Sequence, residues 1–434
     1  MTTTPTRADT TTRVTLGVTV TLGLLAGLGP LSTDMHLPGL PEIADALETT
    51  DAAAASTVTV GFAGLALGQL LVGGLTDRFG RRRPALVCLA LFVLASVACA
   101  LAPSIEVLLV ARFLQGVFGA GSVVAARASV RDLAQGPAAS RLYSQLAMIS
   151  MFAPVIAPLL GGQVLAFTSW RGIFATLGVL AAALLLLASV KMPESLAAEH
   201  RRRADGPGQL RVMGQVLRHR GFAQHLVLAV CQGVILVSYL TMSALFLRAE
   251  HGVGSQQYSL IFATSGAGMV LGHVVNMRLV PRFGSLNMLT FSVTAAFTSC
   301  SLLCLAVFTH APLPVVLVPL CLTLPLLTPS MPNNMALALV PFGTAAGTAS
   351  ALLGASQQVA GAVVPSLAVQ VGSSGAVMAT TMLLAAGVGL VQVWGVVRPA
   401  LRRGDVPDFS GSDVVAADVG GTDVALPGTA VEPR

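Results

Sequence analysis

The sequence predicts an all-α polytopic membrane protein: twelve transmembrane helices in two pseudo-symmetric halves of six, with both termini in the cytoplasm. Three observations predict this. The chain contains twelve long apolar runs, its basic residues fall almost wholly on one side of them, and its two halves share a repeat at an offset of 204 residues.

Composition sets the class. Of 434 residues, 54% are hydrophobic and only 10% are charged, and mean hydropathy is +0.79. A soluble domain carries about 25% charged residues, so this chain cannot clothe a water-exposed surface. The runs lie near 14–37, 55–75, 84–103, 106–126, 142–167, 170–190, 223–247, 258–279, 286–309, 312–338, 345–371 and 375–397. Each has about the 20 residues that cross a hydrocarbon core. The first run has no small-residue cleavage site before Pro30 and reads as a span, not a removable signal peptide.

The segments between runs fix the direction. With the N-terminus inside, 22 basic residues fall in inner segments, two (Arg171 and Arg248) in outer ones, and Arg112 lies within a span. One missed span would invert every later loop and destroy this asymmetry. The net charge of +6 is therefore a topology signal, and a nucleic-acid partner is not expected. The organisation is a tail at 1–13, a first half at 14–190, a basic linker at 191–222, a second half at 223–397 and a disordered tail at 398–434. All six cysteines sit in apolar runs, where reduced thiols behave as small hydrophobes.

The repeat relates the halves. Gly64 and Gly68 in the second run match Gly268 and Gly272 in the eighth, and Arg78, Phe79 and Gly80 match Arg282, Phe283 and Gly284. Parallel six-helix repeats place a substrate site at their interface.

Several constellations point to chemistry. The second and third runs are joined by Gly73-Gly74-Leu75-Thr76-Asp77-Arg78-Phe79-Gly80-Arg81-Arg82-Arg83. Its glycines allow close helix approach and a tight turn, and Asp77 can pair with Arg or with a helix N-terminus. Arg112 opens Arg112-Phe113-Leu114-Gln115-Gly116 in the fourth run; an arginine at such depth needs a partner, carbonyls or a wet cavity. In the fifth run, Ala153-Pro154-Val155-Ile156-Ala157-Pro158-Leu159-Leu160-Gly161-Gly162 places two prolines four apart and bends the helix. Asp34 is the one acidic residue in or beside the first run. A carboxylate in a low-dielectric cavity holds its proton more tightly, so binding of a cationic or polar molecule, or approach of Arg112, would release it. The alternative is a helix-end Asp facing the periplasm.

The tenth run holds Pro312, Pro314, Pro319, Pro325, Pro329 and Pro332, followed by Asn333 and Asn334. Irregular backbone at membrane depth is tolerated only against protein or water, so this run is expected to line the path. Gln69, Met148, Met151, Tyr239, Ser243, Gln357 and Gln358 are further cavity candidates, with plain helix packing as the alternative for each.

These motifs resemble the major facilitator superfamily. The 73–83 loop is similar to its signature between spans two and three, and the resemblance implies a gating latch of Gly73, Asp77, Arg78, Gly80, Arg81 and Arg82. The second-half copy has Pro281 where the aspartate would stand. The 112–116 segment resembles the motif whose arginine is implicated in proton coupling. The Pro154, Pro158, Gly161 and Gly162 pattern resembles the motif of the antiporter branch. Ser32-Thr33-Asp34-Met35-His36-Leu37-Pro38 and Arg127-Ala128-Ser129-Val130-Arg131-Asp132 resemble the Bcr/CflA drug-resistance transporters, with His36 where that group usually has Tyr. The resemblance covers about 14–400 and implies a monomeric drug:proton antiporter of the cytoplasmic membrane, with phenicol- or bicyclomycin-like substrates. On this reading Asp34 and Arg112 couple to the proton, the first half gates, and the second half shapes the drug pocket. The proton gradient drives it and no cofactor is needed. A proton-coupled uptake symporter for a sugar or small metabolite is the alternative. An enzyme is not expected: the chain has no H-E-x-x-H, and its single lysine, Lys191, is in no phosphate-binding loop.

Overall fold

The computed structural model describes residues 15–133, 152–153, 155–196, 208–372 and 374–403. Within them the chain is helical. The first half contains α1 (Leu16–Asp34), α2 (Leu40–Ala46), α3 (Asp51–Phe79), α4 (Arg82–Ala100), α5 (Ile105–Leu133), α6 (Val155–Phe167) and α7 (Trp170–Lys191). The second contains α9 (Arg220–His251), α10 (Ser255–Phe308), α11 (Leu313–Leu327), α12 (Ser330–Leu339), α13 (Ala346–Val371) and α14 (Gly375–Val391). Between the halves lies α8 (Gly208–Arg218), and α15 (Arg398–Arg403) follows the last span.

Among the described residues these elements give twelve crossings, the fifth of them described mainly over α6. The 54-residue α10 is two spans, since Gly284 at φ 76° and ψ 156° breaks it. Span ten is α11 with α12, parted at Thr328 and Pro329. The proline-rich run is thus broken, as its composition predicts. Span one continues through a 3₁₀ turn at Leu37–Gly39 into α2. Within the basic linker, α8 buries Val216 against Phe222 and Phe342 of the second half, because its apolar residues recur on one side. One expectation needs adjustment. The segment from 398 begins with α15; residues 404–434 lie outside the described ones.

Caps and outer faces agree with the sequence. Thr15, Thr50 and Ser374 accept backbone N–H bonds at the starts of α1, α3 and α14, satisfying orphan donors. Along α7, Ala181, Leu184 and Ala188 are buried while Val179, Leu186 and Val190 are exposed. Apolar exposure on this scale has a lipid surface as its natural partner.

The repeat is visible in the backbone. Gly80 at φ 87° ends α3 as Gly284 breaks α10, and Arg78 and Arg282 lie over the rings of Phe79 and Phe283 at 5.2 and 5.5 Å. A methyl on Gly64 or Gly68 would meet the carbonyls of Phe113 and Val117 on α5 at 2.2 and 2.3 Å. A methyl on Gly268 or Gly272 would meet Pro325 of α11 at 2.5 Å. Spans two and four, and spans eight and ten, therefore touch through the same pair of glycines.

The halves meet at the end opposite the chain termini, here called outer. There Leu37, Leu40, Val58 and Phe62 join Tyr239, Met242, Tyr258 and Phe262 in one apolar cluster. Arg248 bonds Asp45 across the halves at 2.6 Å, and Ser366 donates to Thr59 at 2.7 Å.

Candidate functional site

A cavity of about 290 Å³ lies between the halves. The first half contributes Pro30, Thr33 and Asp34 from α1, Phe62 and Gln69 from α3, and Arg127 from α5. The second contributes Leu240 from α9, Phe262 and Met269 from α10, Leu324 from α11 and Gln358 from α13. Among the described residues Asp34 is the one carboxylate in this wall, and it is 7% exposed. It is thus an inward-facing acid and not a helix-end residue in open solvent. Pro30, one turn earlier, lacks a backbone donor and leaves the end of α1 able to bend.

Arg112 occupies a separate buried site. Its guanidinium bonds the side chain of Gln115 and the carbonyls of Ser32 and Thr57, the last two at 3.4 Å. It also lies 5.6 Å from the ring centre of Phe174. Gln115 in turn donates to Ser96 at 2.7 Å. Carbonyl dipoles and a ring face therefore hold this cation, and among the described residues no carboxylate pairs with it. Close passage of α3 makes the site possible: a methyl on Gly116 would meet the carbonyl of Gly61 at 2.3 Å. Asp34 and Arg112 share α1 as a wall, since Ser32 contacts the arginine while Thr33 and Asp34 face the cavity.

The 73–83 loop is braced from two directions. Arg81 forms an ion pair with Asp132 at 2.8 Å and donates to Thr76 at 3.2 Å. Glu194 accepts the backbone N–H of Arg81 at 2.8 Å, and Arg82 donates to the Ser189 carbonyl at 2.5 Å. Ser195 donates to Asp132 at 3.2 Å. The turn itself needs Gly80, because its φ is positive and a methyl there would sit 2.4 Å from the Glu194 carboxylate. Arg78 is exposed. The backbone of Gly73 and Asp77 belongs to α3, but their side-chain environment lies outside the described residues.

In the proline motif, Pro158, Gly161 and Gly162 are buried. A methyl on Gly161 would meet the Met35 carbonyl at 2.0 Å, and one on Gly162 the Ser259 hydroxyl at 2.3 Å. α6 therefore wedges between the end of α1 and α10 of the other half. Pro154, Met148 and Met151 lie outside the described residues.

Of the other cavity candidates, Gln69 and Gln358 line the wall. The other five are not in this wall, and each bonds a neighbouring helix. Tyr239 bonds Ser265 at 2.7 Å, and Ser243 bonds Tyr258 at 3.0 Å. Asn333 donates to Asn276 at 2.7 Å, and Asn334 bonds His225 at 2.8 Å. Gln357 donates to the Met331 sulfur at 3.6 Å. The broken tenth span reaches this cavity through Leu324, while its asparagines tie it to α10 and α9. Sequence reasoning missed Glu194, Phe174 and Met269. Glu194 had a signal, as the first carboxylate after the sixth span. Phe174 and Met269 had none among so many apolar neighbours.

Comparison with known proteins bears on this geometry. Residues 22–365 match the Major Facilitator Superfamily model. An uncharacterised transporter of this type from Bacillus subtilis, YdgK, is 32% identical over 86% of this chain and 93% of its own length. A bicyclomycin resistance protein homologue from Haemophilus influenzae is 29% identical over 78% of this chain and 85% of its own. Multidrug resistance protein MdtL of Escherichia coli is 31% identical over 56% and 62%. Among solved structures, a D-xylose-proton symporter superposes with TM-score 0.70 at 17% identity, covering 91% of this chain and 98% of that one. At that identity the likeness speaks to the fold alone. The family match runs from the first span into the eleventh, and the chain belongs to the Major Facilitator Superfamily, a family of multi-pass membrane transporters rather than enzymes.

Proposed function

We propose that the protein exports drug-like small molecules across the cytoplasmic membrane in exchange for protons, by alternating access around the 290 Å³ cavity. The observation that carries this reading is the position of Asp34. Among the described residues it is the one carboxylate of an otherwise mainly apolar wall that both halves build. Phe62, Phe262 and Met269 offer a surface that tolerates several shapes, while Gln69 and Gln358 supply hydrogen bonds. A cationic or polar guest competes with a proton for the same carboxylate, which is what exchange requires. Arg112, fixed on carbonyls of α1 and α3, holds the first-half helices in register. The braced 73–83 loop is the latch. Similarity to proteins named for bicyclomycin and multidrug resistance supports export, as does the resemblance of the α6 motif to that of antiporters. The fold is expected to work as a monomer, with lipid as its only standing partner.

The test is export from energised vesicles, using a panel of phenicols, bicyclomycin and lipophilic cations. An imposed pH gradient should drive export and an uncoupler should stop it. Export that survives the uncoupler overturns proton coupling. Accumulation of a sugar or metabolite by intact cells would instead support uptake.

A further inference from the structure

The end of the first span holds a titratable group that proton exchange at Asp34 does not use. Thr33 and Asp34 line the inner cavity. Pro38, Pro41 and Glu42 line a second recess of about 500 Å³ at the outer end, together with Arg248 and Tyr258. His36 lies on the chain between these two walls and is fully buried. Neither ring nitrogen makes a hydrogen bond. The carbonyls of Ser32 and Thr33, one turn back, face the ring without bonding geometry. Buried polar groups nearly always find partners, so one without them asks for an explanation.

Its surroundings give one. The imidazole lies 5.8 Å from the Phe174 ring, centre to centre. The Arg112 guanidinium lies 5.6 Å from the same ring and donates to the same Ser32 carbonyl at 3.4 Å. From α5, then, the group facing His36 is a cation. From α4 it is Cys99, which lies beside Arg112 and packs with Met35 and Phe174. From α7 it is the ring of Phe174, with Trp170, Ile173 and Leu177 in the same apolar cluster. On its own segment, Asp34 faces the inner cavity, and Glu42 accepts the Trp170 backbone N–H at 3.1 Å. Among the described residues no carboxylate pairs with the ring.

We propose that His36 is a proton checkpoint on the outer gate: the outer side closes only over a neutral imidazole. In the closed form a protonated ring would have only the poorly aligned carbonyls of Ser32 and Thr33 as acceptors, no counter-ion among the described residues and a second cation beside it, which is the costly way to bury charge. When the outer recess opens, residues 36–42 meet water and the ring can take a proton. One ring nitrogen gains an N–H bond and loses it again before closure; nothing else changes covalently. A group charged in one state and neutral in the other couples pH to the equilibrium between them. One linked proton gives at most about a tenfold change per pH unit. The proposal rests on alternating access, and in the exchange reading it delays closure until the proton has left the ring.

The experiment uses the full chain in nanodiscs, spin-labelled at Glu48→Cys and Gln256→Cys, two exposed outer positions on opposite halves. The distance between labels is followed from pH 8 to pH 5 without substrate. The closed population is expected to fall severalfold on acidification. His36→Gln and His36→Phe should abolish the response, and whichever of them elutes as a folded monomer suffices. Asp34→Asn, and the outer-end controls His251→Gln and His310→Gln, should retain it. A response that persists in the His36 variants, that vanishes in Asp34→Asn, or that is absent from the wild type overturns the checkpoint. Substrate-driven proton release is measured on the same samples. Its absence beside a His36-dependent distance change sinks the exchange reading and leaves the checkpoint standing.

Discussion

At the scale of single residues, position and not type decides what a group does. Asp34 and Arg112 are both buried charges, yet one lines a cavity and the other is held by carbonyls and an aromatic ring. Asp34→Asn keeps the shape and removes the titration, so proton-driven export should fall at least about a hundredfold, the scale on which a positioned proton-transfer group contributes. Drug exchange without a gradient should persist for neutral substrates. Counterflow measured beside gradient-driven export separates the two, and gradient-driven export at the wild-type rate would remove Asp34 from the mechanism. Gly64 shows the same dependence on place. Its replacement by Ala puts a methyl 2.2 Å from a backbone carbonyl, and overpacking of this kind costs about 1–3 kcal/mol. Gly214→Ala, with nothing within 4 Å, is the control. Melting temperature in detergent should drop for the first and hold for the second.

At the scale of elements, much was legible and some was not. Hydropathy and charge located the spans because lipid allows few solutions. The proline count of the tenth run announced its break at Pro329. What the sequence could not disclose was which polar side chains face the cavity. Asn333, Asn334, Tyr239 and Ser243 have the right chemistry for a substrate wall, but a partner on a neighbouring helix claims each one. That partner is distant in the chain and unpredictable from spacing. Glu194 and Asp132 illustrate the same limit: the loop they brace was recognised, the braces were not. Arg81→Gln removes the ion pair to Asp132, a charged hydrogen bond worth about 1.5–3 kcal/mol. It should lower the melting temperature and loosen the loop, seen as faster hydrogen exchange at residues 80–84. Unchanged exchange there would deny the brace. Gly162→Val should prevent α6 from seating against Ser259 and abolish transport even where the folded protein accumulates in the membrane.

At the scale of the whole molecule, an ion pair and an apolar cluster both span the outer end, and magnitudes rank them. The Arg248–Asp45 pair is largely exposed, at 47% and 65%, and such pairs contribute about 0–1 kcal/mol. The apolar cluster around Leu37 and Leu40 is fully buried, and a Leu→Ala change in such a place costs about 2–5 kcal/mol. Arg248→Ala should therefore alter outer accessibility by less than about fivefold. Leu40→Ala should shift it by tenfold or more, as read by the outer spin-label distance. The reverse order would mean that charge, not burial, closes the gate. Both halves line the cavity, so the expected division of labour, with proton and gate in the first half and drug pocket in the second, is blurred at the wall.

The twin glycine turns carry one more consequence. Gly80 is clasped by Glu194 and flanked by the Arg81–Asp132 pair, while a methyl on Gly284 would touch nothing within 4 Å. Two copies of one bend thus differ in bracing: the carboxylate and ion pair that close around Gly80 have no counterpart around Gly284 among the described residues. Any load that straightens the bend meets side chains in the first half and open space in the second.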